Sequence, residues 1–398
     1  MNLIESTDYP PILNQITFDP FSFLGPSHLS FTHDKFEYLR SNCKYFSVPQ
    51  THIGNYEGKD LNILHINSRS LFSEEKFEEF KVMLFRLKHK WDIICISETW
   101  LCKDLEQNRI IDGYTSFFSN RDERIGGGVA IYIEKSKVKE ITQLPQTLNC
   151  TQSICIECKL NNSVSIIVAE IYRPPNLNQK VFTDELEQFL DSLPVMNKSI
   201  FVCGDFNFDL LDMANNSATQ DFFNTLASSG FWPLISRATR VHNTSHSLLD
   251  NIFCKNLDII YKSGIITDDT SDHFPIFSVL KLNVPVYKSK TKSMNVFDFR
   301  KINELSDHVL ECLHNFENIS DPEEASQKLI GAFQSGIKKF SISCQRNRKA
   351  SPIKPWITPA ILQGINNRCK LYVLKQKKKQ PNKIFLYIAI TETLLMKL

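Results

Sequence analysis

The sequence predicts an α/β protein built as a four-layer α/β sandwich, with two facing mixed β-sheets flanked by helices. Between residues 60 and 283, short apolar runs of strand length are interspersed with helical patterns. Several of these runs follow one another without an intervening helix, so not every strand pair is a parallel crossover unit. Two mixed sheets packed face to face accommodate both kinds of connection.

The individual elements follow in order along this segment. Predicted strands are LNILHI (61–66), DIICIS (92–97), GGGVAIYI (126–133), SICIECKL (153–160), VSIIVAEIY (164–172), SIFVCG (199–204), SLLDNIFC (247–254), LDIIYKSGII (257–266) and FPIFSVLKL (274–282). Predicted helices are SEEKFEEFKVMLFRLKHK (73–90) with Ser73 as N-cap, TDELEQFLDSL (183–193), and ATQDFFNTLASSG (218–230) with a glycine C-cap. The glycines of GGGVAIYI lack the GxxxxGK[ST] spacing of a nucleotide-binding loop, so they predict a permissive turn into a strand.

The segments on either side differ in composition. Residues 1–59 are predicted to be irregular because five prolines interrupt them, apart from a short helix at HDKFEYLRSN. Residues 284–398 are predicted to be a basic helical connector, whose most distinctive part is PWITPAILQGINNRCKLYVLKQKKK. The chain ends at Leu398 within an apparent helix, so we expect it to be the front of a longer protein.

Charge is distributed unevenly along the chain. Net charge is +2 overall, yet residues 346–383 hold eleven Lys and Arg and no acid, which leaves 46 − 11 = 35 basic against 44 acidic residues elsewhere. A basic tail favours a polyanion such as nucleic acid, and a solvated helical linker is the alternative.

The absence of an apolar leader or spanning segment predicts a nuclear or cytoplasmic protein that is not secreted and has no membrane partner. Eleven scattered cysteines fit a reducing compartment. Cys150, Cys155 and Cys158 have iron–sulfur-like spacing, but strand alternation places Cys155 and Cys158 on opposite faces. They are therefore predicted to be core or surface thiols.

Polar residues at the ends of apolar strands predict the site. They are Asn67, Glu98, Tyr172, Arg173, Asp205, Asn207, Thr239, Arg240, Asp250, Ser271, Asp272 and His273. Single residues have structural alternatives: Asn67 as a turn residue, Glu98 as a helix cap, Asp205 and Asn207 as an Asx-turn, and His273 with Asp272 as a surface pair. Asp250 lies between apolar neighbours and needs a partner if it is buried.

This set suits metal-assisted attack of water on a phosphodiester. Carboxylates such as Glu98 supply the oxygen ligands that Mg²⁺ or Mn²⁺ prefers. Asp205 can orient or deprotonate water, while Asn67 and Asn207 donate hydrogen bonds without adding negative charge. His273, kept cationic by a buried acid such as Asp250, can stabilise charge on a phosphate oxygen.

At these residues the sequence resembles the endonuclease/exonuclease/phosphatase superfamily, whose fold is DNase I-like. The resemblance covers about residues 60–283 and rests on IN (66–67), SETWL, YRPPN, GDFN, LLDNIF and SDHFPI. It implies metal binding by Glu98, with Asn67 nearby and Asp272 as a further ligand. It implies Asp205 as the water-activating acid with Asn207 as its partner, Tyr172 at the phosphate or leaving group, and an Asp250–His273 dyad on the scissile phosphate.

Within the superfamily, INSRSL, DIICISETWL, GGGVAIYI, IYRPPN and SLLDNIF resemble endonuclease domains of non-LTR (LINE-type) retrotransposons of the jockey, CR1 and RTE kind. The resemblance implies a Mg²⁺-dependent DNA endonuclease that nicks double-stranded target DNA. The reverse transcriptase is absent, so it also implies a truncated element product or a host gene derived from one. The basic segment would contact DNA or element RNA.

Two alternatives remain open. The first is an apurinic repair nuclease or a phosphatase of the same fold. No acidic residue follows Asn67 two positions on, as one does in some apurinic endonucleases, which weakens the repair interpretation. The second is a catalytically silent remnant that only binds nucleic acid.

Overall fold

The computed structural model describes residues 17–19, 30–47, 60–121, 126–145, 148–194, 198–242, 245–285, 293–314, 316, 319, 321–345 and 358–377. Two β-sheets dominate this part of the chain. The first has seven strands in the order β1-β14-β15-β2-β3-β5-β4. Its strands are β1 (Lys44–Ser47), β2 (Leu61–Asn67), β3 (Ile93–Ser97), β4 (Tyr114–Ser119), β5 (Val129–Glu134), β14 (Ile260–Thr267) and β15 (Ile276–Leu280).

The second sheet has six strands in the order β10-β13-β9-β8-β7-β6. Its strands are β6 (Val138–Gln143), β7 (Gln152–Leu160), β8 (Ser165–Tyr172), β9 (Ser199–Asp205), β10 (Trp232–Pro233) and β13 (Asp250–Cys254). Both sheets are mixed, because β2 and β3 pair in parallel, as do β8 and β9, whereas their other neighbours run antiparallel. A small hairpin, β11 (Arg240–His242) with β12 (Ser245–Ser247), lies beside them.

Helices cover the outer faces and complete the four layers. Helix α1 (Ser30–Asn42) contacts β14, and α2 (Glu74–Arg86) packs Phe77, Phe80 and Met83 on the outer face of the seven-stranded sheet. The α3 (Gln179–Ser192) and α4 (Ser217–Ser228) helices pack Phe182, Leu186 and Phe222 in the core cluster that includes the six-stranded sheet. Burial of these apolar faces is the main driving force for assembly.

The predicted fold class is confirmed, and each predicted strand and helix between residues 60 and 283 is present with shifted ends. Ser73 caps α2 by accepting a hydrogen bond from the Lys76 backbone N–H. Gly126, Gly127 and Gly128 lie before β5 with positive φ angles, as a permissive turn requires. The cysteines Cys155 and Cys158 are buried in the core.

The sequence did not predict several strands, among them three of the longer strands in the two large sheets. Strand β1 lies in the segment predicted to be irregular and pairs in parallel with β14 at the sheet edge. Strands β4 and β6 are only partly buried and carry polar residues, so their sequences lack a continuous apolar run. Among the described helices, none is long and apolar enough to cross a membrane.

Residues 288–350 form a separate compact unit. It contains α5 (Ile302–Cys312), α6 (Pro322–Lys339) and the hairpin of β16 (Ser293–Phe297) with β17 (Ser341–Gln345). Leu305, Val309 and Ala332 form its small core. The first part of the predicted connector thus has its own core, and most of the basic run, 346–357 and 378–383, falls outside the described residues.

Helix α7 (Pro359–Lys377) belongs to the same unit as the sandwich. Arg368 on α7 pairs with Asp269 at 2.8 Å, and the Cys369 thiol donates to an oxygen of Asp269 at 2.7 Å. Buried Arg86 on α2 pairs with Asp268 at 3.1 Å and also contacts Cys369. The connector helix therefore packs against the start of the loop that leads to Asp272 and His273.

Gly204 is the position where a side chain is least tolerable in the sandwich. A Cβ there would lie 2.0 Å from the Ile171 carbonyl oxygen of the neighbouring strand. We expect Gly204→Ala to destabilise the protein by about 3 kcal/mol or more, measured by urea unfolding, because β8 and β9 would have to separate. Gly364→Ala on α7, where the added Cβ meets nothing within 4 Å, should be neutral or slightly stabilising. Equal stability of both variants would contradict this packing.

Candidate active site

Strand register brings the predicted polar residues to one end of the sandwich. In the six-stranded sheet, Asp205 at the end of β9 pairs with Tyr172 on β8 and with Asp250 on β13. In the seven-stranded sheet, Asn67 at the end of β2 pairs with the last residue of β3, directly before Glu98. The structure therefore gathers residues that are far apart in the sequence at the seam between the sheets.

The Asn67 side chain joins the two sheets. Its amide nitrogen donates to Glu98 Oε1 at 2.9 Å and to Asp205 Oδ2 at 2.8 Å. Its own oxygen accepts a hydrogen bond from the Arg69 backbone N–H at 3.0 Å. A single buried amide thus fixes the spacing of two carboxylates from different sheets, and its oxygen shows the turn role that was the structural alternative.

Glu98 is held in an uncommon backbone conformation. Its φ is +52°, a left-handed value that costs energy for a residue with a side chain. Trp100 donates its indole N–H to Glu98 Oε2 at 3.1 Å, and the Trp100 backbone N–H donates to the carbonyl of Gly127. Gly128 also approaches closely, since a Cβ there would lie 2.6 Å from Thr99 Oγ1. The glycine turn therefore supports the strained segment that presents Glu98.

Asp205 is buried and electrostatically unfavourable as a carboxylate. Burial raises its pKa, and the negative charge of Asp250 raises it further, to about 7 against an ordinary value of 3.8. Hydrogen bonds from the Asn67 side chain and from the Asn207 backbone N–H partly compensate. A carboxylate with a pKa near neutrality suits a group that takes a proton from water.

Asp250 and His273 form a buried pair. His273 Nδ1 lies 2.8 Å from Asp250 Oδ2, and Thr239 donates its hydroxyl to the same oxygen at 2.6 Å. Burial alone would lower the pKa of His273, but the Asp250 carboxylate outweighs it and raises that pKa to about 9. His273 is therefore cationic at neutral pH, and the partner that buried Asp250 was predicted to need is present.

The turn after β9 is fixed by Asn207 and Arg173. Asn207 adopts a φ of +52° and donates its side-chain amide to the Arg173 carbonyl at 2.9 Å. The Arg173 guanidinium lies over the Phe208 ring, 4.3 Å from its centre, and donates to the Phe206 carbonyl. Arg173 is thus a buried clamp on the turn that carries Asp205.

Tyr172 lies near the carboxylates of Glu98 and Asp205. Burial raises its pKa above the ordinary value, and the negative charges of Glu98 and Asp205 raise it further. Its hydroxyl therefore stays protonated at physiological pH and can donate a hydrogen bond to an acceptor in the site.

Asp272 has partners that its sequence context did not indicate. Its Oδ2 accepts from Arg69 Nη1 at 2.7 Å and from Arg240 Nη2 at 2.9 Å. Burial raises its pKa, but the charges of His273, Arg240 and Arg69 outweigh this effect and lower it. In the structure Asp272 therefore forms ion pairs with two partly exposed arginines, which define the rim of the site.

Sequence reasoning missed His65 and Glu170, which are completely buried behind Asp250. His65 Nδ1 lies 3.1 Å from Glu170 Oε2, and Ser97 donates its hydroxyl to Glu170 Oε1 at 2.9 Å. The signal was available, since each is a polar residue inside an apolar strand run, as Asp250 is. Like Asp250, Glu170 needs a partner because it is a buried acid.

The donor set fits a divalent cation. Glu98 and Asp205 face each other across Asn67, and burial together with the negative charges of Asp250 and Glu98 raises the pKa of Asp205 to about 7. A bound cation would relieve this excess of negative charge, and carboxylate and amide oxygens are the ligands that Mg²⁺ and Mn²⁺ take.

Comparison with known proteins identified one family. The model described as the Endonuclease/Exonuclease/phosphatase family matches residues 67–273, more than half of the 398-residue chain. No curated protein matched.

Several solved structures are similar. The endonuclease domain of TRAS1, a telomere-specific non-LTR retrotransposon, is 16% identical, with 56% of this chain and 99% of that chain covered and a TM-score of 0.45. The Xenopus laevis APE2 catalytic domain is 17% identical, with 57% and 94% covered and a TM-score of 0.44. An AP endonuclease from Archaeoglobus fulgidus is 16% identical, with 56% and 100% covered and a TM-score of 0.42.

The pKa of Asp205 predicts that this residue destabilises the metal-free fold. Its folded-state pKa of about 7 exceeds the ordinary 3.8, so the folded state binds the proton more tightly than the unfolded state. Ionisation of Asp205 therefore lowers the free energy of unfolding progressively between about pH 4 and 7, and by a constant amount above pH 7. We expect Asp205→Asn to raise the free energy of unfolding at pH 8 in chelator by about 1–3 kcal/mol, measured by urea unfolding.

The gain should shrink towards pH 4, where the wild-type carboxyl is protonated. Asp184→Asn, on the exposed face of α3, is the matched control and should change stability by less than about 0.5 kcal/mol. A loss of stability in Asp205→Asn at pH 8 would contradict the charge excess.

Proposed function

Because the chain belongs to the endonuclease/exonuclease/phosphatase family, we propose that it is a metal-dependent phosphodiesterase, a DNA endonuclease that nicks double-stranded target DNA for a non-LTR retrotransposon. The observation that carries the proposal is the meeting of Asp205, the Asp250–His273 pair and the Asn67–Glu98 pair at one seam. In this proposal the arrangement supplies a base, a cation and hard oxygen ligands at one site.

The proposed mechanism gives each residue a separate task. Asp205 orients the attacking water and accepts its proton, and the Asn207 turn holds that carboxylate by a backbone hydrogen bond of 3.1 Å. Cationic His273, aimed by Asp250, stabilises the developing charge on a phosphate oxygen. Tyr172 donates a hydrogen bond to the phosphate or the leaving oxygen.

Glu98 and Asn67 would hold the cation, Mg²⁺ or Mn²⁺, in this proposal. When bound, the cation supplies charge neutralisation at the phosphate and assists departure of the leaving oxygen. Asp272 stays the proposed further ligand, which requires that it exchange its contacts with Arg69 and Arg240. Without that exchange, Asp272 instead holds these two arginines at the rim, where they can meet DNA phosphates.

The cellular setting and partners are part of the same proposal. DNA is the proposed partner, and the basic residues of the segment 346–383 would add affinity for DNA or element RNA that weakens with salt. The proposed location is nuclear or cytoplasmic, where such a substrate is present.

Plasmid nicking tests the proposal. With Mg²⁺ or Mn²⁺ the full chain should convert supercoiled plasmid to the open circle, and chelator should abolish this. Asp205→Asn and His273→Ala should each lower the rate at least about 10²-fold, because one removes the base and the other the cation at the phosphate. Asp184→Asn, at a half-exposed position, and His314→Ala, at an exposed one, are the matched controls and should cleave normally.

The substrate and control outcomes separate the alternatives. Cleavage restricted to abasic DNA would indicate a repair nuclease instead of the proposed endonuclease. Release of phosphate from phosphoinositides without nicking would indicate a phosphatase. Intact plasmid that is nevertheless retarded in a gel would favour a silent nucleic-acid-binding remnant. Full nicking by both site variants would refute the assigned roles.

The pH dependence of single-turnover nicking tests the same roles independently. His273 must be cationic, so the rate should fall as pH rises through about 9, and Asp205 must be ionised, so it should fall on the acid side of about 7. A neighbouring cation lowers the pKa of the Asp205 carboxyl group. The fall in rate on the acid side should therefore move to lower pH as the Mg²⁺ concentration rises. A constant rate up to pH 10.5 would exclude His273 as the required cation.

A further inference from the structure

The proposed catalytic pair continues into the core of the sandwich. His65 on β2 and Glu170 on β8 come from different sheets, and both are 0% exposed. Glu170 Oε2 lies 3.1 Å from His65 Nδ1, and the other ring nitrogen, Nε2, lies 3.5 Å from Asp250 Oδ1. Asp250 in turn contacts His273. Carboxylates and imidazoles therefore alternate from Glu170 to the phosphate-facing His273.

His65 occupies the back of the Asp250 carboxylate. Asp250 Oδ2 accepts hydrogen bonds from Thr239 and from His273 Nδ1, which also lies 3.0 Å from Oδ1. On its other side Oδ1 lies 3.5 Å from His65 Nε2, an ion-pair distance slightly longer than a hydrogen bond. A positively polarised group there opposes rotation of the carboxylate away from His273, and its effect is strong because water is excluded.

Glu170 determines which way the His65 ring faces. Its Oε1 accepts from Ser97 at 2.9 Å, and Oε2 faces His65 Nδ1. The nearest other polar atoms include the thiols of Cys95 and Cys203, within 4.8 Å, and burial raises the pKa of Cys95 so that this thiol stays neutral. Holding Nδ1 at Glu170 leaves Nε2 and its proton directed at Asp250.

Fold stability gives little reason for such a pair. Removing two charges from water costs several kcal/mol per ion, and replacing a buried ion pair by apolar residues of similar volume is often neutral or stabilising. A second buried pair, Asp92 with Lys137 at 2.9 Å, lies at the opposite end of β3, away from the pocket. It provides a matched comparison for a pair without contact to the site.

Building on the proposed function, we infer that His65 and Glu170 are positioning residues that hold the Asp250 carboxylate in the orientation that aims His273 at the scissile phosphate. They act through Asp250 and do not touch the substrate. The role resembles that of the acid in a triad, which orients an imidazole without reacting itself. His65 does the same one step further back, and Glu170 orients His65.

The test uses the full chain and two readouts. The first is single-turnover nicking of plasmid with Mg²⁺. His65→Leu and Glu170→Gln should lower the rate constant about 10–100-fold, as loss of an outer orienting partner does, while half-saturating DNA changes less than about 2-fold. His65→Gln, whose amide can place an N–H near Asp250, should recover most of the rate lost in His65→Leu. Asp92→Asn should cost stability but leave the rate constant unchanged.

The second readout does not need activity. In ¹⁵N-histidine-labelled protein, the His273 Nδ1 proton, assigned by its loss in His273→Gln, should resonate far downfield because of the bond to Asp250. It should move upfield or broaden in His65→Leu and Glu170→Gln, and stay in place in Asp92→Asn. If His65→Leu does not fold, Glu170→Gln, which keeps the side-chain shape, decides.

The outcomes separate this inference from the proposed function. Absence of nicking by the wild-type chain would refute the function, while the Nδ1 signal would still test the positioning. An unchanged signal in Glu170→Gln, or nicking by Glu170→Gln as fast as by Asp92→Asn, would overturn the positioning role and leave the function intact.

Discussion

Two buried carboxylates, Asp205 and Asp250, occupy directly paired positions on neighbouring strands, and the rest of the site is organised around their repulsion. At about 5 Å and an effective dielectric constant of about 20, two like charges repel by on the order of 3 kcal/mol. The structure meets this cost in two ways. His273 and His65 flank Asp250 and, despite its burial, hold its pKa below the ordinary value, while Asp205 is left with a pKa raised to about 7. Asp250 thereby stays anionic beside a cationic imidazole, and Asp205 has the near-neutral pKa that the proposed base requires.

The positions of the site carboxylates are fixed by contacts between the two sheets more than by contacts within one sheet. Asn67 is the clearest case, because its single amide donates to an acid of each sheet. The left-handed backbone at Glu98 and Asn207 adds local strain that the surrounding packing must hold. The glycine turn at 126–128 and the buried Arg173 clamp supply that packing. Such preorganisation lets a site stabilise charge without reorganising during the reaction.

The sequence predicted features that depend on local patterns and missed contacts that depend on how distant segments pack. Apolar runs such as SIFVCG predicted the central strands, and polar residues at their ends predicted which side chains meet, because strand direction and burial are local properties. Strands β1 and β4 were missed because pairing to a neighbouring strand, not an apolar pattern, makes them strands. His65 and Glu170 could have been singled out as polar residues inside apolar runs, but their pairing could not be predicted, because they lie on different sheets. The arginine contacts of Asp272 likewise depend on loop positions that no spacing encodes.

In the proposed site a bound cation offsets what burial and Asp250 cost the Asp205 carboxylate, and calorimetric titration with Mn²⁺ measures this coupling. With pKa about 7, Asp205 is about half protonated at pH 7, so binding should release up to about half a proton per ion. Titrations of the metal-free protein in two buffers of different ionisation enthalpy measure this number. We predict Mn²⁺ binding with proton release in the wild type and no release in Asp205→Asn. Absence of Mn²⁺ binding, or equal proton release by both proteins, would refute this role of Asp205.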